Sequence, residues 1–372
     1  MRILSTASTC LLLLILASCA EAVEPEYRFR EGFLLVDGRL SNLSENSYLD
    51  LKRAELVGRQ YVLQDIMAQE VTLVSKGGET TSWDYDPERL RYYPPTGFNP
   101  VTGEEYFIRL TDEEGFTYES KPEVMPEVVE MSRLDVRFAQ ESYFSEELDR
   151  FVPAFELYID FEEPAATQDF YRLNYSSWES VAICLSCYYG FFDIWVGECV
   201  PGGRGDDVPR FDYACNGGCW QLERYPDINL YSDEFSNGNS IEGLFAGQID
   251  FDYSGRILMI SELERISAAA YNYTKVLADQ GINSNGLNAT LPASLDGNVD
   301  PIIDGQGLSL GYFSVGASSE QRFILNRDTI DGFPLPFDND INYDIPPFPQ
   351  FPYEHPCEGP NRSPDRPEGW EF

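Results

Sequence analysis

What the chain has least of is histidine. Its 372 residues contain one, His355, placed in a proline-rich tail. Histidine is the commonest general base, so Ser-His-Asp or Cys-His chemistry would need that tail to deliver the sole imidazole into a cleft. Basic side chains are scarce as well, with 26 Lys and Arg against 63 Asp and Glu and a formal net charge of −37. Such a surface repels phosphate backbones, which argues against a nucleic-acid partner. It draws cations and basic ligands, and it also serves solubility. A phosphate-cradling Gly loop, a dinucleotide fingerprint and a His-rich metal motif are all missing. No apolar run reaches the length of a membrane-spanning helix. These gaps together lead to the expectation of a non-enzymatic protein without cofactor or metal. Paired carboxylates are so abundant that residue type alone neither selects nor dismisses a glycosidase.

What is present begins with an address. Residues 1–18 have one positive side chain, Arg2, then the apolar run Cys10–Leu16 and the small residues Ala17 and Ser18. That is the layout of a signal peptide. Leu16-Ala17-Ser18-Cys19 has the form of a lipobox, in which the Cys19 sulfur accepts a diacylglycerol and several acyl chains give a stable anchor. Ala20 to Glu26 is rich in acid, so residues 19–30 read as a lipidated acidic tether. Its acidic residues resemble the export signal that sends some lipoproteins to the outer face of the outer membrane, so the expected location is the outer membrane, on the cell-surface side; a plain solvated tether is the alternative.

Cysteine supports export. Beyond the anchor stand Cys184, Cys187, Cys199, Cys215, Cys219 and Cys357. An even set in an exported chain reads as disulfides, and six allow fifteen pairings. The competing reading is zinc, because Cys184-x-x-Cys187 and Cys215-x-x-x-Cys219 have ligand-like spacing, but an oxidising compartment disfavours four free thiolates.

The fold reads as mainly β: an N-terminal immunoglobulin-like β-sandwich over 31–126, then a larger β-sandwich-like domain over 127–332 with one amphipathic helix. Phe33 to Leu40 is a strand. Glu70 to Val74 and Thr80 to Trp83 flank Gly77-Gly78, and Glu105 to Leu110 and Phe116 to Glu119 flank Asp112 to Gly115. Alternating strands around turn residues make two hairpins. Pro122 and Pro126 suggest the domain boundary, since proline interrupts ladders. Further strands are expected at Ala154 to Phe161, Phe170 to Tyr175, Asp227 to Tyr231, Ile249 to Tyr253, Arg256 to Ile260 and Gly307 to Val315. A cysteine-rich insertion occupies 184–219. The helix is expected over 261–280, with Ser261 and Glu264 as a capping box, Gly281 as the stop, and Leu263, Ile266, Ala270, Tyr273 and Leu277 on one core-facing stripe. Residues 333–372 form a tail of Pro, aromatic and acidic residues that Cys357 would pin to the body.

Three stretches invite functional readings. Tyr188, Tyr189, Phe191, Phe192 and Trp195 place five aromatics in eight positions; they would form either a rigid contact patch or the filling of a sandwich. Asp296, Asn298, Asp300 and Asp304, like Asp338, Asp340, Asn342 and Asp344, set oxygens on alternate loop residues, as calcium needs, but both lack the EF-hand's Gly and closing Glu. Solvated turns explain them as well. Arg204-Gly205-Asp206 is taken as a chance tripeptide.

The order of these pieces resembles the Bacteroidota lipoproteins grouped as domain of unknown function 4249. The resemblance rests on the lipobox, Leu35-Val36-Asp37-Gly38 and Gly103 to Leu110. It continues through Ile266 to Leu277 with Tyr271 and Tyr273, Leu295 to Val299, Leu310 to Val315, and the ending with Cys357, Pro367 and Trp370. The 184–219 insertion departs from the pattern, being longer and more aromatic. The resemblance transfers no catalytic residue. It implies an accessory surface lipoprotein that partners a TonB-dependent outer-membrane receptor in ligand capture or uptake. It also makes Gly297-Asn298 a turn feature rather than a calcium ligand set. The alternatives are a glycan-binding protein or glycoside hydrolase working through carboxylates, and a structural envelope protein.

Overall fold

The computed structural model describes residues 32–57, 60–180, 218–283, 297–303, 307–335, 357 and 361–371, and the backbone of four short strands between 183 and 214. The fold is mainly β and sandwich-like. Its centre is an eleven-stranded sheet whose middle runs, side by side, Phe170–Ser180, Arg256–Ile266, Ser309–Asn326, Phe33–Ser41 and Tyr48–Val57. Among the described residues the one parallel ladder joins Phe33–Ser41 to Ser309–Asn326, in register Val36 to Gly311 and Leu40 to Val315. Gly311 has a φ of +113°, and a Cβ there would collide with the Val36 carbonyl oxygen, so only glycine lets these strands meet.

Period-two alternation gives the sheet two unlike faces. Leu34, Val36 and Leu40 on one strand, and Leu49 and Leu51 on the next, point to the same side and are buried. Tyr171, Leu173 and Tyr175 do the same farther along. Two smaller sheets cover this apolar side in tandem. A six-stranded sheet built on Glu70–Ser75, Glu105–Thr111 and Thr117–Ser120 contributes Val71, Leu73, Ile108, Leu110 and Tyr118 to the first core. A three-stranded sheet of Met131–Ser145, Arg150–Glu162 and Ser240–Asp250 contributes Phe155, Leu157, Ile159 and Phe161 to the second. Each fully buried side chain of this size stabilises the fold by about 1.5–3 kcal/mol.

The division at 126 does not follow the sheets. Phe33–Ser41 belongs to the same sheet as Ser309–Asn326, and Val299–Pro301 completes the six-stranded sheet by pairing with Thr117–Ser120. The N-terminal sandwich is therefore closed by strands from the far end of the chain. The proline-flanked segment is a junction rather than a linker, because Glu123–Val124 pairs with Glu105–Thr111. The buried Glu123 carboxylate accepts hydrogen bonds from Tyr312, from Ser267 Oγ at 2.8 Å and from the Val315 N–H at 3.1 Å. Burial raises this carboxyl above its ordinary range, and those donors pull it back down in part.

The helix also departs from expectation. Residues Arg256–Ile266 are a strand, and the helix spans Ala268–Asn283. Ser261 and Glu264 therefore do not form a capping box. Ser267 caps instead, its Oγ accepting the Ala270 N–H at 3.0 Å. Gly281 lies inside the helix rather than past its end. The strand is central and buried on both faces, so it shows no clean alternation, and Leu263, Ile266 and Ala270 happen to fit a helical stripe too. Ala270 is buried, and Tyr273 stacks obliquely on Tyr312 at 4.9 Å, which seats the helix against the sheet. No helix among the described residues is long and apolar enough to cross a membrane.

Candidate functional site

The other face of the large sheet is polar and carries a cleft of about 1240 Å³. It is built by the residues between the core positions: Asp37 and Arg39, Tyr48, Asp50 and Lys52, Arg172, Asn174 and Trp178, Glu262, and Ser314 and Glu320. Tyr273, Thr274 and Leu277 of the helix form one wall. The opposite wall includes Arg224 and the chain's last segment, where Arg362–Ser363 pairs with Trp220–Arg224. Cys357 is disulfide-bonded to Cys219, with Cα atoms 5.6 Å apart, and Trp370 meets Trp220 edge-on. These contacts hold the terminal segment in place as part of the cleft.

The floor is an ion network whose groups largely satisfy one another. Arg39 reaches Glu262 and Glu264 at 3.2 Å each, and Arg172 reaches Glu264 at 2.7 Å. Asn174 and Asn46 donate to Glu262, at 3.0 and 3.1 Å, and Ser318 Oγ donates to it at 2.6 Å. Burial works against the Glu264 charge, yet the Arg172 and Arg39 fields overcome it and hold the carboxyl below its ordinary range. This floor is a fixed charged platform.

The rim is different. Seven basic and eight acidic residues line the cleft, whereas the whole chain carries 26 against 63. The cleft is thus close to charge balance on a chain that is otherwise strongly acidic. Arg224 is exposed there, and its side chain makes no ion pair or hydrogen bond among the described residues. Desolvation lowers its proton affinity; Tyr93 opposes this, and Arg91, Arg39 and Arg89 add to it by repulsion. A guanidinium among like charges with no carboxylate of its own is poised for an anionic oxygen. Aromatic surface adjoins it: Tyr48, with Arg91 over its ring at 4.7 Å, then Tyr93 and Trp178. Burial, and then Asp37, push the Tyr48 hydroxyl up to about 12, so it stays protonated as a donor.

This cleft contains none of the candidate site residues; Tyr273 and Leu277, expected on a core-facing stripe, line its wall instead. Cys19 and its tether, Tyr188, Tyr189, Trp195, Cys215, His355 and the Asp338 to Asp344 stretch lie outside the described residues. So do Asp296, Asp304 and Arg204 to Asp206. Phe191 and Phe192 lie on the strand Gly190–Asp193, paired with Glu198–Pro201, and their side chains are outside the description. The same holds for the side chains of Cys184, Cys187 and Cys199. Asn298 is described and buried: its amide accepts the Phe313 N–H and donates to the Phe313 carbonyl, both at 2.8 Å. It serves as a strand partner, which leaves no free oxygen for a cation.

The family model for a domain of unknown function (DUF4249) matches residues 21–322. The chain belongs to that family. The match spans both cores, the helix and most of the cleft, including Arg39, Arg172, Arg224 and Glu262. It ends before Cys357 and the terminal strand, so the wall held by the disulfide lies outside the family segment. No curated protein matches the chain.

Proposed function

We propose that this protein is a non-enzymatic surface lipoprotein, anchored through Cys19, that captures an anion-bearing ligand in the arginine-lined cleft for a TonB-dependent outer-membrane receptor. The observation that carries the reading is Arg224, a cation unpaired among the described residues, in a large depression flanked by tyrosines, on a chain otherwise dominated by acid. A preformed floor and a few polar groups on the rim are what a capture site needs, since little ordering remains to oppose binding. Anchor and receptor partner rest on the lipobox and on the resemblance described above. Affinity capture of the full lipidated chain from mildly solubilised outer membranes tests them: a receptor should co-purify, and its absence refutes the partnership. Cys19→Ala should fold normally but lose function in the cell.

A glycan-hydrolysing protein is the second reading, favoured by Asp50. This residue lines the same cleft, burial lifts its carboxyl above the ordinary range despite Lys52 and Arg91, and its Oδ1 is buried without a hydrogen-bond donor. A raised carboxyl beside a second acid is the requirement for general-acid glycosidase chemistry. Sugar release from a glycan panel that vanishes in Asp50→Asn would favour this reading over capture.

A further inference from the structure

Away from the cleft, three buried carboxylates converge where three strands end. Glu163 follows Arg150–Glu162, Asp169 precedes Phe170–Ser180, and Asp233 follows Asn229–Ser232. An oxygen from each lies within 4.8 Å of the other two, and the residues are 6%, 4% and 0% exposed. Asp169 is fully engaged, by Arg265 Nε and by Thr167 Oγ1, both at 2.8 Å. Glu163 uses one oxygen to accept the Tyr171 hydroxyl at 3.0 Å, and Asp233 uses one to accept the Asn237 amide at 3.0 Å. The remaining two, Glu163 Oε2 and Asp233 Oδ1, are buried with no donor among the described residues. A buried carboxylate oxygen without a partner is strongly unfavourable, and here two are found in one cluster.

Charge points the same way. With all three carboxyls ionised, they would face one guanidinium, Arg265, and leave two negative charges uncompensated among buried groups. A single proton shared between the orphan oxygens would still leave one. A divalent cation cancels both and supplies the missing partner to each oxygen.

We propose that Glu163, Asp169 and Asp233 form a site for a hard divalent cation of the calcium class, which ties the three strand ends together. The donors are all oxygen, with no His or Cys, which suits calcium and not zinc. Calcium also tolerates an irregular ligand set supplied by loops, whereas magnesium demands a near-ideal octahedron. A second cleft, of about 860 Å³, borders the cluster at Thr167, Asp169 and Arg265.

The test uses the full-length chain stripped with EDTA and titrated with calcium chloride by calorimetry, with unfolding temperature read in parallel. The expected result is one saturable site per chain and a higher unfolding temperature with the ion. Glu163→Gln and Asp233→Asn should each weaken binding at least about tenfold. Each introduces an amide that can donate to the facing carboxylate, so these variants should fold without the ion. If either fails to fold, the unsubstituted protein still decides, through terbium luminescence displaced by one equivalent of calcium. A folded, stripped protein that takes up no divalent ion overturns the proposal. So does uptake that persists unchanged in both variants, which would assign binding to the general acidic surface.

Discussion

Arg39 Nη1 lies 3.2 Å from Glu264 Oε2, although 225 positions separate the two residues in the chain. The contact reaches from Phe33–Ser41 across the intervening Ser309–Asn326 to Arg256–Ile266, and Arg172 joins it from the strand on the far side. Glu264 is fully buried between these two guanidiniums.

Removing that anion should therefore be costly. Glu264→Ala leaves Arg39 and Arg172 facing each other without their shared partner, and an uncompensated buried charge typically destabilises by about 3–5 kcal/mol. Urea unfolding of the variant should show a loss of that size. A change below about 1 kcal/mol would mean that water already reaches the network and that the platform is not preformed.

The same residue predicts a pH dependence. Its folded-state pKa lies below the ordinary 4.5. Between those two values the unfolded chain binds more protons, so stability rises with pH; the contribution is complete above about 4.5 and is lost as pH falls through the folded value. Unfolding free energies of the native protein and Glu264→Gln, measured from about pH 3 to about pH 7, should differ by an amount that shrinks on the acid side. A pH-independent difference contradicts the assignment.

The Cys219–Cys357 bridge closes a segment with a sequence separation of 138. Replacing both residues by serine should lower stability by about 2–5 kcal/mol and release the Arg362–Ser363 strand from the cleft wall. Hydrogen exchange at Arg362 and Ser363 checks the second effect: protection there should collapse while that of Phe170–Ser180 persists.

Arg224→Ala separates function from fold. With no partner to orphan and repulsion from Arg91 relieved, its stability should stay within about 0.5 kcal/mol of the native protein. Binding to an array of carboxylated and phosphorylated glycans and peptides should fall about tenfold or more, the value of one charge-assisted hydrogen bond. Unchanged binding to the array would remove Arg224 from the site.

Much of the local structure was legible from residue order. The strand Phe33–Ser41 and the hairpins around Gly77-Gly78 and Asp112 to Gly115 sit where alternation and turn chemistry place them, because those signals act over a few neighbouring residues. Residues 261–266 are strand and not helix: the strand is buried on both faces, one of them by the charged floor of Glu262 and Glu264, and Leu263, Ile266 and Ala270 also fit a helical spacing. Pro122 and Pro126 suggested a break, and nothing nearby in sequence announced that Glu123 would be clasped by Tyr312 and Ser267.

The cleft could not be read in advance for a similar reason. Arg39, Arg172 and Arg224 each look like an ordinary surface charge within its own strand, and no spacing links them. The amino-acid order by itself determined a β-rich, acidic, histidine-poor chain with hairpins at defined turns and an export-like beginning, because each of these depends on composition or short-range geometry. Only the tertiary structure decided that Arg39, Arg172 and Arg224 share one face, that Glu123 and Asn298 are structural clasps, and that Glu163, Asp169 and Asp233 meet. Those facts depend on which segments meet in three dimensions, from 15 positions apart for Asn298 and Phe313 to 192 for Glu123 and Val315, and the large sheet fixes the longest of its pairings through the glycine contact at Gly311 and its shared cores.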